Sequence, residues 1–298
     1  MAAESIVADR PMNRHPTRTG MEDRVAAQRV TIEGALPLEE CVAVEEPLEI
    51  HVNGQPWITT MRTPGQDREL ALGLLYTEGI LADVVDVESI VVDDNVVLIE
   101  GQISTDGHTR GFVRSSSCGV CGSASLDAIM ARHPPAISRD GFTIDGKTIE
   151  QLLAQLRSEQ SYFDSTGGVH AVALFSEHSV IVDLAEDVGR HNAMDKIIGR
   201  TIDQLPLSNL GFLLSGRVSF EMVQKAVMAG SPCIVAIGAP TTLAIELARQ
   251  HGITLIGFAR EARFNVYTGA WRLNNCCLLY TSDAADDTPC VDLGGRRI

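Results

Sequence analysis

Long hydrophobic runs are missing from this 298-residue chain. No apolar stretch approaches the ~18 residues that carry a helix across a bilayer. The first residues carry charge where a secretion signal would be apolar, so a cytoplasmic protein with no membrane partner is expected. Positive charge is also scarce, with 24 Lys and Arg against 39 Asp and Glu and a formal net charge of -15. General nucleic-acid binding needs clustered cations to neutralise phosphates and is excluded on that ground. A small phosphorylated ligand held by local arginines is not. Aromatics make up only 5% of residues, yet 45% are hydrophobic, enough for a substantial aliphatic core and two domains. Metal-ligand patterns are absent as well. Besides Cys118-Gly119-Val120-Cys121 there is no second C-x-x-C, no H-x-x-x-H and no H-x-E, and no partner cysteine follows Pro232-Cys233. A structural zinc site and zinc-deaminase chemistry therefore both lack their ligands, and no resident metal is expected.

Residues 1–25, polar and containing Pro11 and Pro16, read as a disordered arm. Regular structure is expected from Leu48, where alternating residues on either side of Asn53-Gly54 predict a hairpin. A helix through Leu70, Leu72, Leu74 and Leu75 should end at Gly79. Short strands at 90–92 and 96–99 lead to Phe112-Val113, and Ala124–Arg132 should form a helix stopped by Pro134-Pro135. From about residue 165 strands and helices alternate. Strands are predicted at 170–175, 180–184, 212–214, 233–237 and 253–258, and helices at 193–200, 220–228 and 243–250. The reading is an α/β fold with an N-terminal α+β domain (26–160) and a C-terminal domain (161–270) whose sheet is mainly parallel with three strand-to-helix crossovers. Ligand groups in such a sheet gather at the carboxyl ends of the strands. From Trp271 to Ile298 the composition is foreign to what precedes it, and Cys276, Cys277 and Cys290 are given no role in what is read as a non-native tail.

Five stretches carry chemistry. Cys118 and Cys121 lie in Arg114-Ser115-Ser116-Ser117-Cys118-Gly119-Val120-Cys121-Gly122-Ser123. Two thiols at this spacing suit half a metal site, a redox dithiol or a sulfur-carrying persulfide. The flanking glycines and serines describe a flexible arm more than the rigid helix start of a thioredoxin, and Arg114 would favour a thiolate. Around Gly189-Arg190-His191-Asn192, a helix cap accounts for Asn192, and a helix start for Asp195. Neither accounts for a cation and an imidazole beside free helix N–H groups, where an anion would sit. Ser215-Gly216-Arg217 and Gly238–Thr242 are small-residue turns that open helices without matching a nucleotide-loop pattern. Phe258-Ala259-Arg260-Glu261-Ala262-Arg263 puts two arginines after the last strand, suited to phosphate or pyrophosphate.

Ser117–Gly122, Thr166-Gly167-Gly168-Val169-His170-Ala171, Asp187–Ala193 with Asp195-Lys196, Ser215-Gly216-Arg217 and Phe264-Asn265-Val266-Tyr267, in that order, resemble the FdhD family over roughly residues 30–270. Several consequences are implied by the resemblance alone. The C-terminal domain would be cytidine-deaminase-like without the zinc site. The protein would be a formate dehydrogenase accessory sulfurtransferase and a homodimer. It would take persulfide sulfur from a cysteine desulfurase and pass it to a molybdenum or tungsten bis(molybdopterin guanine dinucleotide), bound as a substrate and not as a permanent cofactor, before its insertion into the formate dehydrogenase apoenzyme. Cys118 matches the persulfide-bearing cysteine and Cys121 its partner, which either releases hydrosulfide by forming a disulfide or tunes reactivity. Phe258–Arg263 matches the cofactor-binding stretch, and guanine-nucleotide contacts are inferred at Gly189, Arg190, His191, Asn192, Ser215, Gly216 and Arg217. Two other readings stay open: a non-catalytic chaperone for the cofactor and a C-x-x-C dithiol oxidoreductase.

Overall fold

The computed structural model describes residues 20–105, 113–114 (backbone), 134–178, 180–260 and 263–274. Two larger sheets organise it. The first has the strand order β5-β6-β3-β4-β7, with β3 (Glu46–Val52), β4 (Gln55–Arg62), β5 (Val87–Asp93), β6 (Val96–Gly101) and β7 (Val113–Arg114). The predicted hairpin is β3–β4. It turns at Asn53 and Gly54, whose φ values of 51° and 71° are those of a type I′ turn. Leu48, Ile50, Val97 and Ile99 point inward from the strands onto Leu70, Leu74 and Leu75 of helix α1 (Asp67–Thr77).

The second sheet has the order β10-β9-β11-β12-β13-β14. Its strands are β9 (His170–Ser176), β10 (Ile181–Asp187), β11 (Leu210–Leu214), β12 (Cys233–Ala236), β13 (Thr254–Arg260) and β14 (Arg263–Thr268). It is mixed, which corrects the expectation of mainly parallel strands. β11–β12 and β12–β13 are parallel, while β9 runs antiparallel to both of its neighbours and β14 antiparallel to β13. The reason is local. The turn at 177–178 is too short for a crossover, and the chain after Arg260 folds straight back as a hairpin. Both faces are covered, so the strands read as continuous apolar runs. In β9, Val172 and Leu174 face α4 (Arg190–Arg200), α5 (Phe220–Met228) and α6 (Thr242–Gln250). Ala171, Ala173 and Phe175 face α2 (Gly146–Glu159), a helix the sequence reading did not anticipate, which the short α3 (Ser161–Thr166) follows.

The two sheets meet through α1 and α4. Gly73 and Gly199 let the two backbones touch. A Cβ on Gly73 would lie 2.7 Å from the Asp195 carbonyl carbon, and one on Gly199 would lie 2.6 Å from that of Glu69. Two buried ion pairs reinforce the contact. Lys196 Nζ sits 2.7 Å from Asp187 Oδ2 and donates to the Thr63 carbonyl at 3.0 Å. Lys225 Nζ sits 2.7 Å from Asp195 Oδ1 and donates to the Thr77 hydroxyl at 2.9 Å.

Both expected ends shift. The arm predicted to 25 already enters strand β1 (Glu22–Thr31), paired along its length with β2 (Gly34–Ala43) in an exposed ribbon. At the other end, Trp271–Asn274 are built into the fold. Strand β15 (Leu273–Asn274) pairs with β8 (Ile144–Asp145). Arg272 is fully buried, donating to the carbonyls of Gly252 and Ser138. The predicted helix at 124–132, and everything from residue 275 onward, lie outside the described residues.

Candidate functional site

Because β9 is antiparallel to β10 and β11, its first residue shares an edge with their last. His170 is in register with Asp187, and Val172 with Leu214, which in turn faces Ala236 on β12. The loops leaving β10, β11, β12 and β13 therefore converge on one edge, together with His170. Backbone hydrogen bonds stitch them in sequence. Ser215 N–H donates to the Ala171 carbonyl at 3.0 Å, and its hydroxyl accepts from Ala171 N–H at 2.9 Å. Gly238 N–H donates to Gly216 O, and Phe258 N–H to Gly238 O, both at 3.1 Å. Glycine is required at 238, where a Cβ would stand 2.6 Å from Gly216 O and 2.7 Å from Arg217 Cα.

Three cationic or basic groups point to this edge. A methyl group added at Gly216 would sit 3.4 Å from His170 Nδ1 and 3.7 Å from Arg190 Cδ, and Arg217 is the next residue. Among the described residues none of the three has a hydrogen-bonded or ion-paired partner on its side chain, and Arg190 Nε is buried without one. Their mutual effect is legible in their acidities. Burial and then Arg190 and His191 push His170 below the ordinary imidazole range, with Asp187 opposing and Arg217 adding to the depression. Burial, then Arg217, lowers the Arg190 guanidinium, against the pull of Glu221. The neighbouring His191 is engaged differently, its Nε2 lying 2.9 Å from Glu221 Oε2 and 3.3 Å from Ser219 Oγ.

The structure sorts the residues singled out from the sequence. Gly189, Arg190, His191, Ser215, Gly216 and Arg217 come together at this edge. Asn192 does not cap α4, whose N-cap is Gly189. Its side chain is buried, donating to Met61 O at 2.7 Å and to Asp187 Oδ1 at 3.0 Å. Asp187 also accepts from Gly189 N–H at 2.8 Å and Thr63 N–H at 3.2 Å. The aspartates and Asn192 thus lock the loop to the end of β4. Phe258 stands at the edge with φ 51°, in the left-handed region an aromatic residue rarely adopts, and is 46% exposed. Ala259 is in the core. Arg260 is exposed and donates to the carbonyls of Ile237 and Ala259, both at 2.9 Å. Arg263 opens β14, exposed and paired in register with Arg260. Glu261, Ala262, Cys118 and Cys121 lie outside the described residues. His170 escaped the list of site residues although it lies within a quoted motif, because its strand context is apolar. Cys233 is buried with its thiol pushed up to about 12 by burial, too high for a reactive thiolate. Among the described residues no cluster of His, Cys, Asp and Glu could hold a metal ion, and no helix is long and apolar enough to cross a membrane.

This edge and the mixed, doubly covered sheet that carries it define a class, because a family model matches residues 43–274. The chain belongs to the FdhD/NarQ family. Among its relatives, sulfur carrier protein FdhD of Mycolicibacterium paratuberculosis is 46% identical over 258 residues, covering 80% of this chain and 94% of the relative. Sulfur carrier protein FdhD of Sulfolobus acidocaldarius is 45% identical over 239 residues, covering 79% and 92%. A crystal structure from Desulfotalea psychrophila, described as that of a formate dehydrogenase accessory protein, shares the fold with a TM-score of 0.72 at 21% identity, over 86% of this chain and 100% of that one.

Proposed function

We propose that the protein is a sulfurtransferase that receives sulfur on Cys118 from a cysteine desulfurase and delivers it to a bis(molybdopterin guanine dinucleotide) cofactor, carrying molybdenum or tungsten, destined for formate dehydrogenase. The observation that carries this reading is the juxtaposition of the cationic edge with the strand that leads to the cysteines. Strand β7 pairs Arg114 with Thr60 of β4. The Thr60 hydroxyl donates to Asn192 Oδ1 at 3.4 Å, two residues from Arg190. Three residues lie between Arg114 and Cys118, and four extended residue steps span at most ~14 Å. A tether that short supports the transfer of sulfur from Cys118 to a ligand held at the edge. The edge suits the cofactor substrate: unpaired guanidinium groups offer forked donors for its diphosphates, and the buried, unpartnered Arg190 Nε is a donor awaiting an acceptor.

In the first step Cys118 thiolate attacks the outer sulfur of the donor's cysteine persulfide. The S–S bond of the donor breaks, its cysteine leaves as a thiolate, and Cys118 becomes the persulfide. In the second, Cys121 thiolate attacks the inner sulfur of that persulfide and hydrosulfide leaves, at the oxidation level of sulfide. Cys118 and Cys121 are left as a disulfide that a cellular dithiol must reduce. Mass spectrometry of the intact protein after incubation with a cysteine desulfurase and cysteine tests this. A gain of about one sulfur atom, reversed by reductant and absent in Cys118→Ala, is expected. No added sulfur on reduced, folded wild type would sink the carrier reading and favour a cofactor chaperone.

A further inference from the structure

We infer that β5 is a docking edge, where an extended, basic segment of a partner protein adds to the first sheet as a further strand. The site is separate from the cationic edge and does not rest on the sulfur-transfer reading. β5 ends the strand order, and among the described residues only β6 pairs with it. The direction of its free groups follows from β6. The Asn95 and Ile99 carbonyls bond to β3. Backbone groups alternate in direction along a strand, so Val96, Leu98 and Glu100 turn theirs towards β5. Their register partners Asp93, Val91 and Ser89 are thereby engaged, which leaves the N–H and C=O of Ile90 and Val92 facing outward. Natural edge strands are guarded against such pairing by Lys, Pro or a bulge. β5 has neither Lys nor Pro, and its one irregularity, between Val87 and Ser89, leaves the register from Ser89 to Asp93 unbroken. Val91 is 53% and Val92 45% exposed, and as neighbours on a strand they project to opposite faces. An added strand finds an apolar side chain to pack on at each face.

Charge selects the occupant. From Leu81 to Thr105 the chain carries six acidic residues and no Lys, Arg or His. Glu88, Asp93, Asp94 and Glu100 are exposed, and none has an ion-paired partner among the described residues. Two copies of β5 paired antiparallel about the Ile90–Val91 bond would set Glu88 against Asp93 at both ends, and like charges directly opposite are destabilising. The same two acids flank the exposed valines, so they attract a strand that carries cations on either side of its centre. A second copy is therefore disfavoured, and a β-branched segment bracketed by Lys or Arg fits. The added strand lies at the opposite end of the strand order from β7. A partner held there is tethered without occupying the edge strand that leads to Cys118.

The probe is an acetylated, amidated octapeptide, Arg-Lys-Val-Thr-Val-Thr-Lys-Arg, titrated into the full chain at low salt while amide shifts and hydrogen exchange are followed. Binding as an added strand should slow exchange at Ile90 and Val92 at least about tenfold, and leave Val91, already bonded to β6, little changed. Glu88→Lys combined with Asp93→Lys, both at exposed positions, should weaken peptide binding at least about tenfold with the thermal midpoint little changed. Val92→Pro removes one outward donor and no bond to β6, and should weaken it at least about fivefold. No slowing at either amide with peptide in large excess would overturn the docking edge. Equal affinity for a counterpart peptide with Glu in place of the four cations would do the same. Protection of Ile90 and Val92 that grows with protein concentration in the absence of peptide would assign the edge to a second copy and overturn the choice of partner.

Discussion

Lys196 and Lys225 are the residues on which the join between the two sheets turns. Side chains of the Lys196–Asp187 pair are 1% and 0% exposed, so each charge has exchanged water for a single opposite charge and a few backbone donors and acceptors. Such a pair adds little net stability over a well-packed apolar replacement, but removing one member strands the other. Lys196→Ala should therefore cost about 3–5 kcal/mol, read as a fall in the urea midpoint. Adding Asp187→Asn should recover part of the loss, because the stranded charge disappears while the acceptor for Gly189 N–H survives. A loss under ~1 kcal/mol for the single variant would mean that water reaches Asp187. The sequence reading treated Asn192 and Asp195 as features of a helix start, and the reason it missed their true part is physical. A cap and a buried clamp use the same residue types, and only the approach of β4 and α5 distinguishes them.

At the scale of elements, α1 and α4 are held closer than side chains normally allow. Gly73 lies four residues after Glu69 on α1 and Gly199 four residues after Asp195 on α4, so each helix offers a glycine to a carbonyl of the other. Gly73→Ala and Gly199→Ala should each destabilise by ~1–3 kcal/mol, since the added methyl meets backbone that cannot step aside. Helix propensity, which favours Ala over Gly, works in the opposite direction by roughly 1 kcal/mol. Because the first substitution already separates the helices, the double variant should cost less than the sum. Additive losses in chemical denaturation would show that the two contacts yield independently. The elements themselves were largely legible where the apolar pattern is strong: the hairpin β3–β4, α1, α5, α6 and the strands of the second sheet other than β14 fall close to where periodicity put them. What failed was pairing direction and anything lacking an apolar stripe. The ribbon β1–β2 is mostly exposed on both strands, so no burial pattern marks it. Strand β14, with its run of Arg263, Asn265 and Tyr267, read as a ligand loop because its outward residues are polar.

For the whole molecule, the α1–α4 contact and the buried ion pairs make one prediction about cooperativity. The two tryptophans report from different places. Trp57 is buried in the core beneath the five-stranded sheet, while Trp271 is 47% exposed at the far end of the chain's fold with Arg139 over its ring at 4.6 Å. If the sheets were joined only by a linker, each would melt at its own midpoint. The helices at the junction are instead shared: Leu70, Leu74 and Leu75 of α1 complete the first core, while Tyr76 of the same helix packs on the second core and donates to the Met228 carbonyl at 3.0 Å. Unfolding either side exposes apolar surface and buried charge on the other, so the two should lose structure together. Urea titration of Trp57→Phe and Trp271→Phe, each leaving a single reporter, should give midpoints that coincide with each other and with loss of helical dichroism, once each variant's own stability change is subtracted. Two separated transitions, with the Trp57 signal moving first, would show that the junction is dispensable for holding the first sheet. In that event the distance between the cationic edge and the strand bearing Arg114 would not be fixed by the fold, and delivery of sulfur from a short tether would lose its structural basis.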